Sequence, residues 1–219
     1  MNSSVENHVI KCSNCHEDMA IGLSEFIDVT GDEELKEKIL TGEFFLVKCN
    51  HCGDETLIEY PFMYTDSDAK LTVYVAPDHD KSLLDQLNSL DIPITDEQKE
   101  WHYRVVSSGQ ELIEKVCIFD SNRDDRVIEL YKILVYEQLK EEWPSVLPSR
   151  LYYYSETDKE FFVIWDSNST PGSEKLTVVI DDNVYNHLAE DYKFYLDIEP
   201  GKYAEINQDW IKTIVDVDQ

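Results

Sequence analysis

Positive charge is scarce in this 219-residue sequence, and long apolar runs are lacking. With 19 basic residues against 46 acidic ones, the formal net charge is −27, so nucleic acids and anionic membrane surfaces are repelled. The basic residues are too evenly spread to offset this, since residues 1–80 carry 5 basic and 17 acidic side chains. We therefore expect neither nonspecific nucleic-acid binding nor membrane binding.

Glycine is also sparse, and the seven glycines are dispersed. The sequence therefore contains no glycine-rich loop of the GxGxxG or P-loop type that would cradle a phosphate. It also lacks the GxSxG motif of serine hydrolases and the HExxH motif of zinc proteases. Residues 1–10 have neither the basic stretch nor the apolar run of a signal peptide, which predicts a cytoplasmic protein.

The apolar content is high enough for a folded core. Apolar residues make up 42% of the chain, which contains 13 Tyr, 8 Phe and 4 Trp. This composition excludes a disordered acidic tail. The length suits one large domain or two small ones.

Four of the five cysteines form two CxxC pairs. Two residues between a pair of thiolates allow a tight turn to direct both sulfurs at one point, and two such turns supply a tetrahedral zinc site. In a cytoplasmic chain, paired cysteines favour metal binding over disulfides. Because four thiolates leave no position open for a catalytic water, we predict structural zinc with the ligands Cys12, Cys15, Cys49 and Cys52.

Residues beside the pairs bear on this site. His16 and His51 could each replace a cysteine as ligand, although a four-cysteine site needs neither. Gly53 supplies the backbone freedom that the second turn requires. Cys117, the fifth cysteine, lies between Val116 and Ile118 and is predicted to be a small buried hydrophobe.

Strand-like segments flank both turns and predict an N-terminal, zinc-ribbon-like β-sheet. The 33 residues between the pairs exceed the roughly 15–20 of an ordinary ribbon, and the excess predicts an inserted helix. Thr30–Glu33 is a capping box at its start, and Gly42 ends it. Residues 57–64 and 71–75 are predicted to form a hairpin that extends the ribbon sheet.

The rest of the chain predicts helices followed by a smaller C-terminal α+β region. Helical spacing of apolar residues occurs over 83–90, 112–117, 127–139, 184–192 and 206–214, and strand-like runs occur over 103–107, 151–154, 161–165 and 175–180. The predicted fold is therefore α+β. We predict a domain over 1–142, with a zinc ribbon at about 7–78 and a helical part at about 79–142, and a subdomain over 143–219.

Four short motifs follow the cysteine pairs in order: Tyr60–Asp66, Arg104–Ser108, Glu114–Lys115 and Asp124–Leu130. With the CxxC pairs, they resemble the CpXC-domain proteins, a prokaryotic family named for its paired cysteine motifs. The resemblance extends over roughly residues 7–140. It implies a domain with a zinc site, and it implies no particular activity.

Two features depart from the family pattern. The proline after the first cysteine of each pair is replaced here by Ser13 and Asn50, which should loosen the turns without removing a ligand. The family's Tyr-His-Asp corresponds to Tyr64-Thr65-Asp66, which weakens a catalytic role at that position.

The leading functional hypothesis is a zinc-stabilised, non-enzymatic protein-interaction module with an unidentified protein partner. A homodimer is also compatible with the sequence. An excess of aromatic residues in the second half would supply the interface. These residues are Tyr152, Tyr153, Tyr154, Tyr192, Tyr195 and Trp210. The alternative is that they pack the interior.

Two other functions compete with this hypothesis. One is a metal-assisted enzyme that uses an acidic cluster around Asp124 and Asp125, with Arg104, Glu114 and Glu129. The simpler interpretation of Asp124 and Asp125 is a helix cap with an ion pair to Arg126. The other function is an acidic inhibitor that mimics the charge of nucleic acid, which the net charge of −27 suggests.

Overall fold

The computed structural model of the protein describes residues 5–80, 82–89, 94–146, 148–157, 159–166 and 175–215. The backbone divides into two compact units, Met1–Ile113 with Pro200–Ala204 and Glu114–Glu199 with Glu205–Gln219. Both contain helices and strands, so the predicted α+β class is confirmed. The domain boundary at residue 142 stays a prediction. Within the described ranges, every helix is too short or too polar to cross a membrane.

The described residues of the first unit form strands and α-helices in the following chain order. They are β1 (Val5–Lys11), β2 (Asp18–Ser24), β3 (Phe26–Asp28), α1 (Glu33–Leu40), β4 (Leu46–Lys48), β5 (Glu55–Leu57), β6 (Phe62–Asp66), β7 (Leu71–Val75), α2 (Ser82–Ser89), β8 (His102–Val106) and the first residues of α3 (Gly109–Asp120). The second unit holds the remainder of α3, then α4 (Asp125–Glu142), β9 (Pro148–Glu156), β10 (Lys159–Asp166), β11 (Leu176–Val179), α5 (Asp182–Tyr192) and α6 (Gln208–Val215).

A four-stranded mixed sheet in the order β3-β6-β7-β8 forms the centre of the first unit. The predicted hairpin is present, because β6 and β7 pair antiparallel. The prediction that it extends the ribbon sheet is wrong. Strands β3 and β8 flank the hairpin in parallel pairing, which makes β6 and β7 the central strands of a separate sheet. The side chains of Phe62, Tyr64, Leu71 and Val73 on these strands are almost completely buried.

Two small hairpins carry the cysteine turns. Strands β1 and β2 pair antiparallel with Val9 opposite Ala20, and β4 and β5 pair with Val47 opposite Thr56. They form separate two-stranded sheets, so the zinc-ribbon comparison stays a prediction. The sequence analysis did not predict β2. Ala20 and Gly22 are poor strand residues, which hides the alternation of its buried side chains, Met19 and Ile21.

The inserted helix is present as α1, but its predicted cap is wrong. Asp32 is the N-cap residue, and its Oδ1 accepts the backbone N–H of Leu35 at 3.0 Å. Thr30 instead accepts the N–H of Ser67 through Oγ1 at 2.9 Å. Asp32 stands one residue before the helix, whereas Thr30 lies too far upstream to reach its first turn. Gly42 follows the helix with φ +79°, as predicted for its end.

The second unit is built on the antiparallel sheet β11-β10-β9 and on helix α4. The Tyr131 ring on α4 packs edge-on against Phe162, with ring centroids 5.4 Å apart. Ile128, Tyr153 and Ile211 are fully buried. The predicted helices and hairpin of this region are therefore confirmed.

Candidate metal centre

The first cysteine pair lies in the turn that joins β1 to β2. The N–H of Cys12 donates to the carbonyl oxygen of Glu17 at 3.0 Å, and the N–H of His16 donates to the carbonyl oxygen of Cys12 at 3.1 Å. His16 has φ +60°, in the left-handed region. These bonds fold the chain so that Cys12 and Cys15 share one side of the turn.

The second pair repeats this pattern in the turn between β4 and β5. The N–H of Cys49 donates to the carbonyl oxygen of Asp54 at 2.7 Å, and the N–H of Gly53 donates to that of Cys49 at 2.9 Å. Gly53 has φ +79°, as the predicted need for backbone freedom requires. The two turns are therefore near-copies, with His16 in the position that glycine occupies in the second.

The two turns bring all four sulfurs together. The Sγ atoms of Cys12, Cys15, Cys49 and Cys52 lie within 4.8 Å of one another. Across the turns, Cys12 Sγ is 3.6 Å from Cys52 Sγ, and Cys15 Sγ is 3.7 Å from Cys49 Sγ. Tetrahedral zinc with Zn–S bonds of about 2.3 Å requires sulfurs about 3.8 Å apart. The cluster therefore has the donors and the size for such an ion.

The cluster is covered on one side and open on the other. Cys12 and Cys49 are buried and pack with Met19, together with the partly buried Ile10 and Val47. On the other side, Cys52 is exposed and Cys15 is half-buried. The metal position would therefore lie at the edge of a small apolar cluster that both hairpins share.

Polar contacts also join the hairpins beside the sulfurs. Ser13 Oγ donates to Asp54 Oδ2 at 3.3 Å and lies 3.2 Å from Thr56 Oγ1. Asn14 Nδ2 lies 3.9 Å from Cys52 Sγ, at the long end for an N–H···S contact. Ser13 stands where the resemblance leads us to expect proline, and its hydroxyl makes contacts between the hairpins that a proline side chain could not make.

Backbone N–H groups favour a thiolate at Cys12, whereas burial and the neighbouring thiols disfavour one at Cys15. The N–H groups of Cys15 and Asn14 donate to the Cys12 sulfur and lower its pKa to about 6. At Cys15 the N–H of Glu17 lowers the pKa, but burial and hydrogen bonds with the other three thiols outweigh it and raise the pKa to about 12. A bound cation would supply the positive charge that four thiolates need.

The cluster that the described residues form contains the four cysteines and neither His16 nor His51. The two histidines flank the ligands in sequence without joining them. Cys117 lies outside the cluster and is buried, which confirms the predicted hydrophobic role. Burial raises the pKa of its thiol to about 11, so it is a poor metal ligand.

The family model of the CpXC protein matches residues 10–132, more than half of the 219-residue chain. The chain belongs to the CpXC family. The match includes both cysteine turns and the cluster that they form, so the resemblance inferred from the motifs is confirmed. No curated protein and no solved structure matches the chain.

The acidic group at the start of α4 in this CpXC protein is engaged in internal contacts. Asp124 is the N-cap, and its Oδ1 accepts the N–H of Arg126 at 2.9 Å. The Arg126 guanidinium forms an ion pair with the same carboxylate at 2.6 Å, which raises the pKa of Arg126. Asp125 is buried and pairs with Lys115 at 2.9 Å. The helix cap and the ion pair with Arg126 that the sequence predicts are therefore present.

Proposed function

We propose that the four-cysteine cluster holds a structural zinc ion, and that the protein is a non-enzymatic module that binds another protein. The observation that carries the zinc proposal is the convergence of four sulfurs, with contacts of 3.6 and 3.7 Å between the two turns. Thiolate donors in tetrahedral array suit zinc, with iron as the competing metal. The proposed metal is structural because all four positions are taken by protein ligands.

The placement of the ligands supports a structural role. The hairpins β1–β2 and β4–β5 belong to separate sheets, and they share an apolar cluster around Cys12 and Cys49. A metal ion bound by both turns would connect two segments separated by 33 residues. Its binding free energy would then become folding free energy of the first unit.

Metal analysis of the purified full chain tests this proposal. We expect about one zinc per chain and protection of four thiols from a thiol reagent until a chelator is added. A red protein with an iron-type absorption spectrum would indicate that the bound metal is iron and not zinc. Less than about half an equivalent of any metal, with reactive thiols, would contradict the site.

A matched pair of variants identifies the ligands. Cys52→Ser should lose the bound zinc, whereas Cys117→Ala should keep it, because Cys117 lies outside the cluster. Zinc loss in both variants, or in neither, would overturn the assignment.

The proposal of a protein partner is supported by exposed aromatic side chains after α5. Phe194 is 81% exposed and Tyr195 is 57% exposed. The aromatic list from the sequence needs correction, because Tyr152 and Tyr153 are buried and belong to the interior. Exposed aromatic side chains of this size are typical of protein interfaces.

Affinity purification from the source cell, followed by reconstitution with the purified partner, tests this proposal. We expect one protein to bind in a stoichiometric complex, and Phe194→Ser with Tyr195→Ser to weaken that complex at least tenfold. Val179→Ser is the control, because Val179 is equally apolar and 68% exposed on β11. Failure to recover any stoichiometric partner, or equal loss in the control, would contradict the proposal.

A further inference from the structure

Among the described residues of the second unit, five charged side chains are enclosed, none more than 3% exposed. They are Glu114, Lys115, Asp125, Glu129 and Lys132. If all five were ionised, three negative charges would face two positive ones. An uncompensated charge in an apolar interior is costly, so the surplus needs an explanation.

Two ion pairs account for four of these groups. Lys115 Nζ donates to Asp125 Oδ2 at 2.9 Å and to the carbonyl oxygen of Ile206 at 2.7 Å. Lys132 Nζ lies 2.7 Å from Glu114 Oε1, which also accepts the N–H of Tyr153 at 2.6 Å. Glu114 and Asp125 therefore each have a cation beside them.

Glu129 is the remaining acid. Its Oε1 shares Lys132 Nζ with Glu114, at 2.6 Å. Its Oε2 is buried and has no hydrogen-bond partner among the described residues. An ionised carboxylate accepts hydrogen bonds at both oxygens, so an unpartnered oxygen in the interior is far less costly on a neutral carboxylic acid.

We propose that Glu129 binds a proton in the folded protein at neutral pH, and that release of this proton at higher pH destabilises the second unit. With the proton bound, the cluster contains two carboxylates and two ammonium groups. Without it, two carboxylates compete for Lys132 in a dry interior.

The surroundings of Glu129 support this charge assignment. The charged and titratable groups that act on Glu129 are Glu114 and Lys115 on α3 and Lys132 and Tyr136 on α4. Beyond them lie Asp125, which pairs with Lys115, and Arg150 on β9, which interacts with Tyr136. Burial raises the pKa of Glu129, and the charge of Glu114 raises it further, against the opposing effects of Lys132 and Lys115.

The sign of the pH effect follows from linkage. Because the pKa of Glu129 is higher in the folded protein than in the unfolded chain, the folded state binds more protons between these two values. Stability therefore falls as pH rises from the unfolded pKa to the folded pKa. Over that interval the folding equilibrium constant falls by up to about tenfold per pH unit.

Denaturant unfolding of the full chain, from mildly acidic to mildly alkaline pH at constant zinc, tests the proposal. Glu129→Gln keeps the shape and neutrality of the protonated acid, so it should match the wild type at the acidic end. At the alkaline end its unfolding constant should be at least tenfold smaller than that of the wild type. Glu114→Gln is the matched control and should be less stable than the wild type throughout, because it removes the carboxylate that pairs with Lys132.

Two results would overturn the proposal. One is that the stability of Glu129→Gln changes with pH as steeply as that of the wild type. The other is that Glu129→Gln is already less stable than the wild type at acidic pH. A spectroscopic measurement on the wild type keeps the test independent of variant folding. With carboxyl-labelled glutamate, one carbon resonance should have the shift of a protonated acid at neutral pH, and its absence would contradict the proposal.

Discussion

Two polar clusters of this protein can be compared: the four cysteines of the first unit, and the five buried charged side chains of the second. The cysteine thiolates would repel one another, so their cohesion requires a cation from outside the chain. The buried carboxylates have Lys115 and Lys132 as internal cations. With the proposed zinc bound, this protein would stabilise one polar cluster through a ligand and the other through its own side chains.

The two clusters also differ in how the chain builds them. The cysteine cluster uses two copies of one local turn, each with its own pair of backbone hydrogen bonds. The charged cluster uses residues from α3 and α4 together with backbone groups of Tyr153 and Ile206. The first is therefore recognisable from short motifs, whereas the second exists only after the helices pack.

The largest expected effect is loss of Cys49, a proposed metal ligand. Cys49→Ser should destabilise the first unit by about 5 kcal/mol, because it removes a buried ligand and with it the zinc-binding contribution to folding. Thermal unfolding with zinc analysis measures the effect. Cys117→Ser is the control for a buried cysteine outside the cluster. An unchanged melting curve for Cys49→Ser would show that the two clusters do not differ in their need for a ligand.

The second-largest effect is expected from breaking the buried ion pair between Lys115 and Asp125. Lys115→Met should cost about 3 kcal/mol at neutral pH, because Asp125 loses its buried cation. Combining it with Asp125→Leu should recover much of this loss, since both charges are then absent. Chemical denaturation measures both variants. A loss of stability on Lys115→Met that differs with and without added zinc would contradict the comparison, which assigns no metal to this cluster.

The smallest effect compares the two cysteine turns. Gly53→Ala should cost about 1 kcal/mol, since φ is +79° and an added Cβ meets no atom within 4 Å, so that the cost is conformational. His16→Gly should stabilise the first turn by about 0.5 kcal/mol, because glycine adopts the left-handed conformation of residue 16 without strain. The gain is small because glycine also increases the conformational entropy of the unfolded chain. Zinc-loaded unfolding curves measure both. A loss of stability in His16→Gly would indicate that the histidine ring contributes to the turn.

Sequence analysis predicted most of the second unit because its elements have clear periodicity. The stripe of apolar residues along α4 and the paired aromatic runs of β9 and β10 are examples. It did not predict β2, because Ala20 and Gly22 hide the alternation of Met19 and Ile21. It placed β6 and β7 in the wrong sheet, because the choice of strand neighbours depends on β3 and β8, which lie far away in sequence.

In the candidate site, too, local features were predicted from the sequence and contacts between distant segments were not. The CxxC spacing identified Cys12, Cys15, Cys49 and Cys52 correctly as one group, because each pair is a contiguous turn with a single use for two thiols. The contacts of Ser13 with Asp54 and Thr56 were not predicted, because they join the two hairpins. The family motif around Glu114 likewise gave no sign that Lys132 would be its partner.

The sequence by itself determined the potential ligands and the family membership, since both depend on short contiguous motifs that can be recognised without knowledge of the fold. Only the tertiary structure decided that Asp125 pairs with Lys115, and that one oxygen of Glu129 has no partner among the described residues. The physical reason is that the charge state and partners of an acidic residue depend on burial and on neighbours from other elements, which a net charge of −27 does not specify.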